Sequence, residues 1–181
     1  MASTLSESAR CAIEFSPATT QDFCVKLDEI DHLLLDELQT DADRTLRELG
    51  EIVGLSPSAV QRRMERYRAS GLVSRTTAVL DPKVSHELVM AIVLVAVERE
   101  SPRLLEAYQR RLLAAPEVHQ LYGCYGGWDY VVVLVTSGMT HHNEVSQRLF
   151  AEAPNIRKYS TMLVLDPMRT GSAIPARALK L

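Results

Sequence analysis

The sequence predicts an α+β protein with two domains, an N-terminal three-helix unit and a C-terminal ferredoxin-like βαββαβ sandwich. Two observations predict this class. Between residues 27 and 70, apolar side chains recur at three- and four-residue steps, which is the spacing of amphipathic helices. From residue 87 onward, short apolar segments alternate with helical patterns in the order strand, helix, strand, strand, helix, strand.

Composition limits the class of protein before any motif is considered. The chain has 181 residues, 46% of them hydrophobic and 24% charged, which is typical of a soluble globular protein. Its longest apolar run, Leu88–Val97, has ten residues and is too short to cross a bilayer as a helix. The first residues do not have the pattern of a secretory signal, and the three cysteines show no CxxC spacing. We therefore expect a cytoplasmic protein without a disulfide framework, a zinc finger or a membrane segment.

Three helices are predicted in the first domain. An apolar stripe from Leu27 to Leu38 predicts the first, and Asp28 is placed to cap it. The second covers Leu46–Val53, because a Thr-Leu-Arg-Glu sequence at its start has the form of a capping box and a glycine follows its end. The third covers Pro57–Ser70, because serine is a good N-cap and proline is tolerated at the first helical position.

Four strands and two helices are predicted in the second domain, with the helices opening at Pro102 and Thr140. The predicted strands are Val89–Val97, Val118–Tyr125, Tyr130–Thr136 and Tyr159–Leu165. Because both crossovers must be right-handed, both helices lie on one face of the sheet. The first and third strands are apolar at nearly every position, so the other face also needs a cover. We therefore expect a homodimer in which the sheets of two copies pack together.

These patterns also set the expected domain boundaries. The first residues are rich in serine, threonine and alanine without a sustained period, which predicts a flexible leader. An extended segment after the third helix, broken by an Asp-Pro pair, predicts a linker. The predicted segments are a leader at 1–26, a helix-turn-helix domain at 27–73, a linker at 74–86, an effector-binding and oligomerisation domain at 87–168 and a C-terminal tail at 169–181.

The strongest local signal is the arginine-rich third helix. The chain carries a formal net charge of −3, yet the segment Ser56–Arg75 holds five arginines and only one glutamate, Glu65. In a helix-turn-helix, the second helix enters the major groove of DNA with its N-terminal half on the base edges. The predicted DNA-binding residues are Ser56, Ser58, Ala59, Gln61, Arg62, Arg63 and Arg66, with Arg63, Arg66 and Arg68 assigned to phosphates. We expect Glu65 to face away from DNA; the alternative is a three-helix bundle with a solvated basic face.

A second candidate site is the glycine-rich segment Tyr122–Tyr130. Glycines allow backbone amides to approach a ligand closely, and such amides suit a carboxylate. Asp129 is placed to bind an ammonium group, while Tyr125 and Trp128 are suited to line an apolar pocket. The alternative is a hairpin turn in which the aspartate caps the backbone and the tryptophan is part of the core.

With these features the sequence resembles a known family, the leucine-responsive/AsnC (feast-famine) transcription regulators. The features that match are Leu27–Asp31, Gly54–Ser58, Arg63, Gly71–Val73, Gly126–Tyr130 and Thr161, and the resemblance covers about residues 27–168. It implies a winged helix-turn-helix followed by an effector-binding αβ sandwich. It further implies a sequence-specific regulator of transcription that binds double-stranded DNA as a homodimer. Such dimers often assemble into tetramers or octamers, and their assembly or operator binding responds to an amino acid.

The resemblance also implies where the effector binds, because the family's site uses the glycine-rich loop, the start of the next helix and the last strand. The implied residues are Tyr125, Gly126, Gly127, Trp128, Asp129, Thr140 and Thr161. The chain departs from the family at two positions: Gly127, where an acidic residue is frequent, and Gly138, where aspartate is common. Loss of both carboxylates removes partners for a cationic group. We therefore expect an apolar or aromatic amino acid as effector.

No catalytic, metal or cofactor site is predicted. The adjacent His141 and His142 point about 100° apart on a helix, which is poor geometry for one metal ion. His119 and Cys124 would point to opposite faces of a strand, which separates a base from a nucleophile. The alternative function is enzymatic, because sirohaem decarboxylases resemble the same two-domain architecture, and the three histidines would then be candidates for their pocket.

Overall fold

The computed structural model describes residues 26–81, 85–171 and 173–179 and divides them between two compact units. The first unit contains residues 26–78 together with the described residues from 171 onward, and the second contains residues 79–170. Apart from Lys26, the predicted leader lies outside the described residues.

The first unit has three helices, α1 Glu29–Thr40, α2 Leu46–Val53 and α3 Pro57–Ala69. The predicted caps are confirmed, because Asp28 caps α1 and Thr45 forms a capping box with Glu48 at the start of α2. Gly54 ends α2 in the left-handed conformation at φ 72°, which glycine adopts without strain. Local sequence signals therefore determine all three helix starts.

The core of the first unit combines the apolar faces of the three helices with one residue from the end of the chain. Its buried residues are Leu34, Leu35, Leu49, Val53, Val60, Tyr67 and Ala176. Residues 74–81 form no helix or strand, so a wing in the form of a β-hairpin is not present in this part of the described chain.

The second unit is a four-stranded antiparallel sheet in the order β2-β3-β1-β4, as expected for the predicted βαββαβ sandwich. Its elements are β1 Val89–Val97, α4 Pro102–Leu113, β2 Val118–Gly123, β3 Tyr130–Thr136, α5 Met139–Ser146 and β4 Ile156–Val164, and a π-helical turn, Gln147–Ala151, extends α5. The bounds of β1 and β3 agree with the prediction. Helix α5 begins at Met139, with Gly138 at the N-cap, so Thr140 lies inside the helix and does not cap it, as its place at the predicted helix start would suggest.

The two faces of this sheet have different surroundings. One face packs against α4 and α5 and forms the core, with buried residues that include Val93, Val132 and Leu149. The register places a second apolar set on the opposite face, to which neither helix contributes. The apolar residues of this open face are Met90, Ile92, Leu94, Tyr122, Val131, Val133, Val135, Met162 and Val164, and the polar residues Gln120, Lys158 and Ser160 lie on the same face. The sequence prediction of an apolar second face is thus met by the register of the strands.

Among the residues that the structure describes, no helix has the length and apolar character needed to span a membrane.

Candidate functional site

The N-terminal half of α3 presents an exposed polar surface. Ser58, Gln61 and Arg62 are exposed, whereas Ala59 is half-buried. The Gln61 amide donates to the Glu65 carboxylate at 2.9 Å, so Glu65 lies on the same surface as Gln61 and does not face away from it as the sequence analysis expected. Residues four apart on a helix are neighbours, and this contact explains the error.

The start of α3 offers a site for an anion. The Ser56 hydroxyl caps the helix by accepting from the Ala59 amide at 3.4 Å and lies 3.2 Å from the Ser58 hydroxyl. The first amides of a helix and its dipole favour a phosphate group at this end. The exposed hydroxyls of Ser56 and Ser58 add further hydrogen-bonding groups to the same surface.

Two of the arginines predicted to contact phosphate are paired with α1. Arg63 Nη1 lies 2.5 Å from Asp31 Oδ1, and Arg63 also donates to both oxygens of Asp28 at 2.9 Å. Arg66 Nη2 donates to Asp31 Oδ1 at 2.6 Å, and the Tyr67 hydroxyl donates to the same oxygen at 2.5 Å. We call this group the Asp31 network. Its contacts join α1 to α3 and fix the orientation of the arginine-rich helix.

The electrostatics of the Asp31 network follow from burial and hydrogen bonding. Burial alone would raise the pKa of Asp31, but the hydrogen bonds from Tyr67, the Asp28 amide and Arg63 lower it to about 2. The hydrogen bond from Arg63 likewise lowers the pKa of Asp28. A phosphate contact by Arg63 therefore stays a prediction, and phosphate would compete there with two carboxylates.

The glycine-rich loop 124–129 is closed by backbone hydrogen bonds around Asp129. The Cys124 amide donates to the Asp129 carbonyl and the Asp129 amide to the Val95 carbonyl, both at 2.8 Å. Asp129 Oδ2 accepts from the Val97 amide at 2.7 Å. The Asp129 carboxylate therefore caps a backbone amide at the end of β1. This is the role that the alternative interpretation, a hairpin turn, gives to the aspartate.

The tryptophan of this loop is not part of the core. Trp128 is half-buried, and the Lys158 ammonium lies over its ring, 4.5 Å from the centroid. Tyr125, Gly126 and Gly127 are exposed. The loop therefore presents an aromatic ring, a cation and a glycine pair to solvent.

The two glycine departures have different causes. Gly138 has φ 139°, which other residues rarely adopt, so the backbone at the start of α5 explains its glycine. Gly127 has no positive φ, and a Cβ there would meet no atom within 4 Å. Nothing in the described fold requires glycine at 127, and the missing side chain leaves open space beside Trp128.

One chain does not bring all the predicted effector residues together. The loop 124–129 precedes β3 and Thr140 follows it, so the seven residues of β3, about 20 Å of strand, separate them. Thr161 is exposed on β4 and pairs with Val93 in the middle of the sheet. A site that uses both the loop and the start of α5 therefore needs residues from more than one chain.

The histidines near the start of α5 make separate contacts. His141 Nδ1 lies 3.0 Å from the Ser137 hydroxyl, and its Nε2 lies 3.4 Å from a Glu117 carboxylate oxygen. His142 is buried, and its Nε2 lies 3.3 Å from the Ser146 hydroxyl. Burial lowers the pKa of His142. These contacts anchor α5 and bring no two histidine rings onto a common partner.

Sequence reasoning missed three residues that shape these sites. Asp31 falls between apolar positions of α1, and the side chains that donate to its buried carboxylate lie 32 or more residues away, so no local pattern shows that it joins α1 to α3. Lys158 was missed because a single lysine on an edge strand carries no motif. Gly50 offered a usable signal, because a glycine inside a short helix costs about 1 kcal/mol relative to alanine and therefore needs a reason.

Comparisons with known proteins agree with this arrangement. An AsnC-type helix-turn-helix domain matches residues 27–68, and a Lrp/AsnC ligand binding domain matches residues 90–174. The uncharacterised HTH-type transcriptional regulator y4tD of Sinorhizobium fredii is 32% identical over 155 residues, covering 86% of this chain and 92% of that protein.

Solved structures show the same fold. An AsnC family transcriptional regulator from Agrobacterium tumefaciens matches with a TM-score of 0.78 at 24% identity, covering 85% of this chain and all of that one. The transcriptional regulator NMB0573 of Neisseria meningitidis, in complex with L-Met, matches with a TM-score of 0.77 at 24% identity, covering 84% of this chain and 99% of that one.

Proposed function

The chain belongs to the Lrp/AsnC family of transcription regulators, and we propose that it binds operator DNA through α3 in the cytoplasm under the control of an amino-acid effector. The observation that carries the proposal is the exposed surface at the N-terminal half of α3. Ser58, Gln61 and Arg62 lie there beside the capped helix start, where a major groove would meet them first. The family favours this function over the sirohaem-decarboxylase alternative.

We expect Arg62→Ala to weaken binding to a cognate duplex by about 5- to 150-fold, because a bidentate contact to a base is worth about 1–3 kcal/mol. Glu65→Gln is expected to strengthen binding, because it removes a negative charge from the same surface. The measurement is fluorescence anisotropy, at several salt concentrations, with a duplex selected by the unmodified chain from a random pool. If folded Arg62→Ala binds as tightly as the unmodified chain, the exposed face of α3 is not the DNA surface.

The proposed assembly is a homodimer in which the open faces of two sheets pack together. That face presents eight aliphatic or methionine side chains and one tyrosine, and Met162 and Tyr122 are 46% and 52% exposed in the single chain. Burying each such side chain contributes roughly 1.5–3 kcal/mol, so we expect the same face of a second copy to cover it. At micromolar concentration the mass should be at least about twice 20.2 kDa, and Val133→Lys should lower it toward that of one chain. A monomeric mass for the unmodified chain would refute this interface.

A larger assembly, such as an octamer, is proposed from a second apolar surface. Tyr159 and Leu163 lie on the helix-facing side of the edge strand β4 and are 40% and 48% exposed. An effector site between chains would join the loop of one copy to the α5 start of another. Effector binding would then change assembly and operator occupancy together, with a coupling of roughly 1–3 kcal/mol.

The proposed effector is an apolar or aromatic amino acid, held near Trp128 with its carboxylate toward the loop amides and Lys158. Binding of the effector should change the emission of Trp128, which is the single tryptophan of the chain. The twenty amino acids are titrated one at a time to find the one that binds most tightly. The panel includes L-methionine, which NMB0573 binds. Gly127→Asp has room for its side chain and should shift preference toward lysine. Tightest binding of lysine by the unmodified chain would contradict the proposal.

A further inference from the structure

The end of the chain lies along one face of α1 in the DNA-binding unit. Gln39 exchanges two hydrogen bonds with the Ile174 backbone, at 2.8 and 2.7 Å. The Ala176 amide donates to Asp36 at 2.8 Å, and the Ala176 carbonyl lies 3.1 Å from His32 Nδ1. We call residues 173–179 the C-terminal strap.

The strap is part of the packing of this unit. Ala176 is fully buried in the same core as the helices, although its neighbour Arg177 is exposed and pairs with Glu29 at 2.9 Å. The α1 residues that contact the strap are Glu29, His32, Asp36 and Gln39, which follow helical spacing and so form one continuous face. Backbone hydrogen bonds at Ile174 and Ala176, together with the burial of Ala176, define a specific docked peptide.

The strap is joined on one side to the effector-binding unit and on the other to α3. Along the chain, only residues 165–172 separate it from β4, the strand that carries Thr161. In space, it contacts α1, and α1 holds α3 through the Asp31 network. Residues 175–179 lie beyond both segments matched by the family descriptions, so the family assignment gives them no role.

We propose that the C-terminal strap is a coupling element, which transmits effector binding at β4 to the position of α3 through its dock on α1. When the strap is docked, tension on it acts on α1, the helix that orients α3. When the strap leaves α1, only the linker holds the two units together. The coupling rests on the proposed function, because it presupposes an effector and an operator. The docking of the strap on α1 does not depend on the proposed function.

The coupling is tested with a chain that ends at Thr170 and with Gln39→Ala, which removes both hydrogen bonds to Ile174 from an exposed position. Affinity for the selected duplex is measured with and without an equimolar mixture of the twenty L-amino acids. A typical allosteric effect is 5- to 150-fold. We expect the effect to fall to less than twofold in the truncated chain and to be reduced in Gln39→Ala, while the Trp128 emission response to the same mixture without tryptophan is retained. An undiminished effect on DNA affinity in the truncated chain would overturn the coupling, as would an unmodified chain that binds DNA without any response.

Docking is tested separately with a labelled peptide of residues 171–181 and the truncated chain. We expect saturable binding of the peptide, loss of binding when the peptide carries Ala176→Asp, and no loss with Ala178→Asp, because Ala178 is exposed on the same turn. Equal binding of all three peptides, or none by any, would overturn the dock. If the unmodified chain binds no DNA, the proposed function fails and so does the coupling, while the peptide result still decides the dock.

Discussion

Gly50→Ala is expected to destabilise the DNA-binding unit by about 1–3 kcal/mol, although alanine is the better helix former. In an unconstrained helix this substitution stabilises by about 1 kcal/mol. Here a Cβ at position 50 would lie 2.4 Å from the carbonyl oxygen of Leu55, which is closer than Cβ atoms are found to backbone atoms. Overpacking of this kind costs about 1–3 kcal/mol, and the helix gain is lost as well.

The clash concerns function because of where Leu55 lies. Its amide donates to the Gly50 carbonyl at 2.9 Å, and its own carbonyl directly precedes Ser56, the cap of α3. Any shift that relieves the clash therefore moves the start of α3, the helix that we propose binds DNA. We expect Gly50→Ala to lose DNA affinity together with stability.

Urea unfolding followed by far-UV circular dichroism measures this effect. The matched control is Gly54→Asn, four residues away, because position 54 has φ 72° with no atom within 4 Å of a Cβ, and asparagine tolerates that conformation. We expect the control to cost less than about 1 kcal/mol. A Gly50→Ala chain as stable as the unmodified one would show that the turn relaxes without cost.

The elements that the sequence predicts well are those with local physical causes. The helix starts at Asp28, Thr45 and Ser56 depend on hydrogen bonds between residues three apart, so a few letters of sequence contain the whole interaction. Strands β1 and β3 are central in the sheet, and burial on their faces makes their residues almost uniformly apolar. Their bounds are therefore visible as composition alone.

The elements that the sequence predicts poorly are those determined by distant contacts or by exposure. Strand β4 begins at Ile156, three residues before the prediction, because an edge strand can carry exposed charged residues such as Arg157 without an apolar pattern. The C-terminal strap has no periodicity, since its role depends on a single buried alanine and on backbone hydrogen bonds with α1. Local sequence patterns do not report either cause.

The direction of the arginines on α3 illustrates the same limit. The spacing of Val60, Met64 and Tyr67 predicts that these residues form the buried side of this helix, and the exposure of Gln61 and Arg62 agrees with it. Arg63 lies at the border of that side, where its direction is decided by the carboxylates of α1. Helical periodicity predicts which side of α3 is buried. At the border of that side, carboxylates distant in the sequence determine where an arginine side chain points.

Asp31→Asn is expected to reduce the free energy of unfolding by about 2–3 kcal/mol at neutral pH. Asp31 is 1% exposed and accepts hydrogen bonds from Arg63, Arg66 and Tyr67. Asparagine keeps the shape but removes the charge that stabilises both guanidiniums. Loss of a partner from a fully buried ion pair costs about 3–5 kcal/mol, and the effect is smaller here because the arginine side chains are 20% and 45% exposed.

The same residue determines part of the acid sensitivity of the fold. The pKa of Asp31 is about 2 in the folded chain against an ordinary value of 3.8, so the folded state binds its proton more weakly than the unfolded state does. The resulting stabilisation is complete above about pH 5 and is lost as the pH falls through 4 toward 2. A difference of nearly two pKa units corresponds to about 2 kcal/mol. We expect Asp31→Asn to flatten the stability profile between pH 5 and 2.

DNA binding separates this electrostatic role from a purely structural one, because the two roles predict changes of opposite sign. Asp31→Asn frees Arg63 and Arg66 from their buried partner, so the surface of α3 gains one positive charge while the fold loses stability. Under conditions where the variant is folded, its affinity for random-sequence duplex should rise, with a salt dependence steeper by up to about one unit. A variant that loses stability and DNA affinity together would show instead that the Asp31 network is needed to aim α3 at DNA, and that the charge it neutralises does not limit binding.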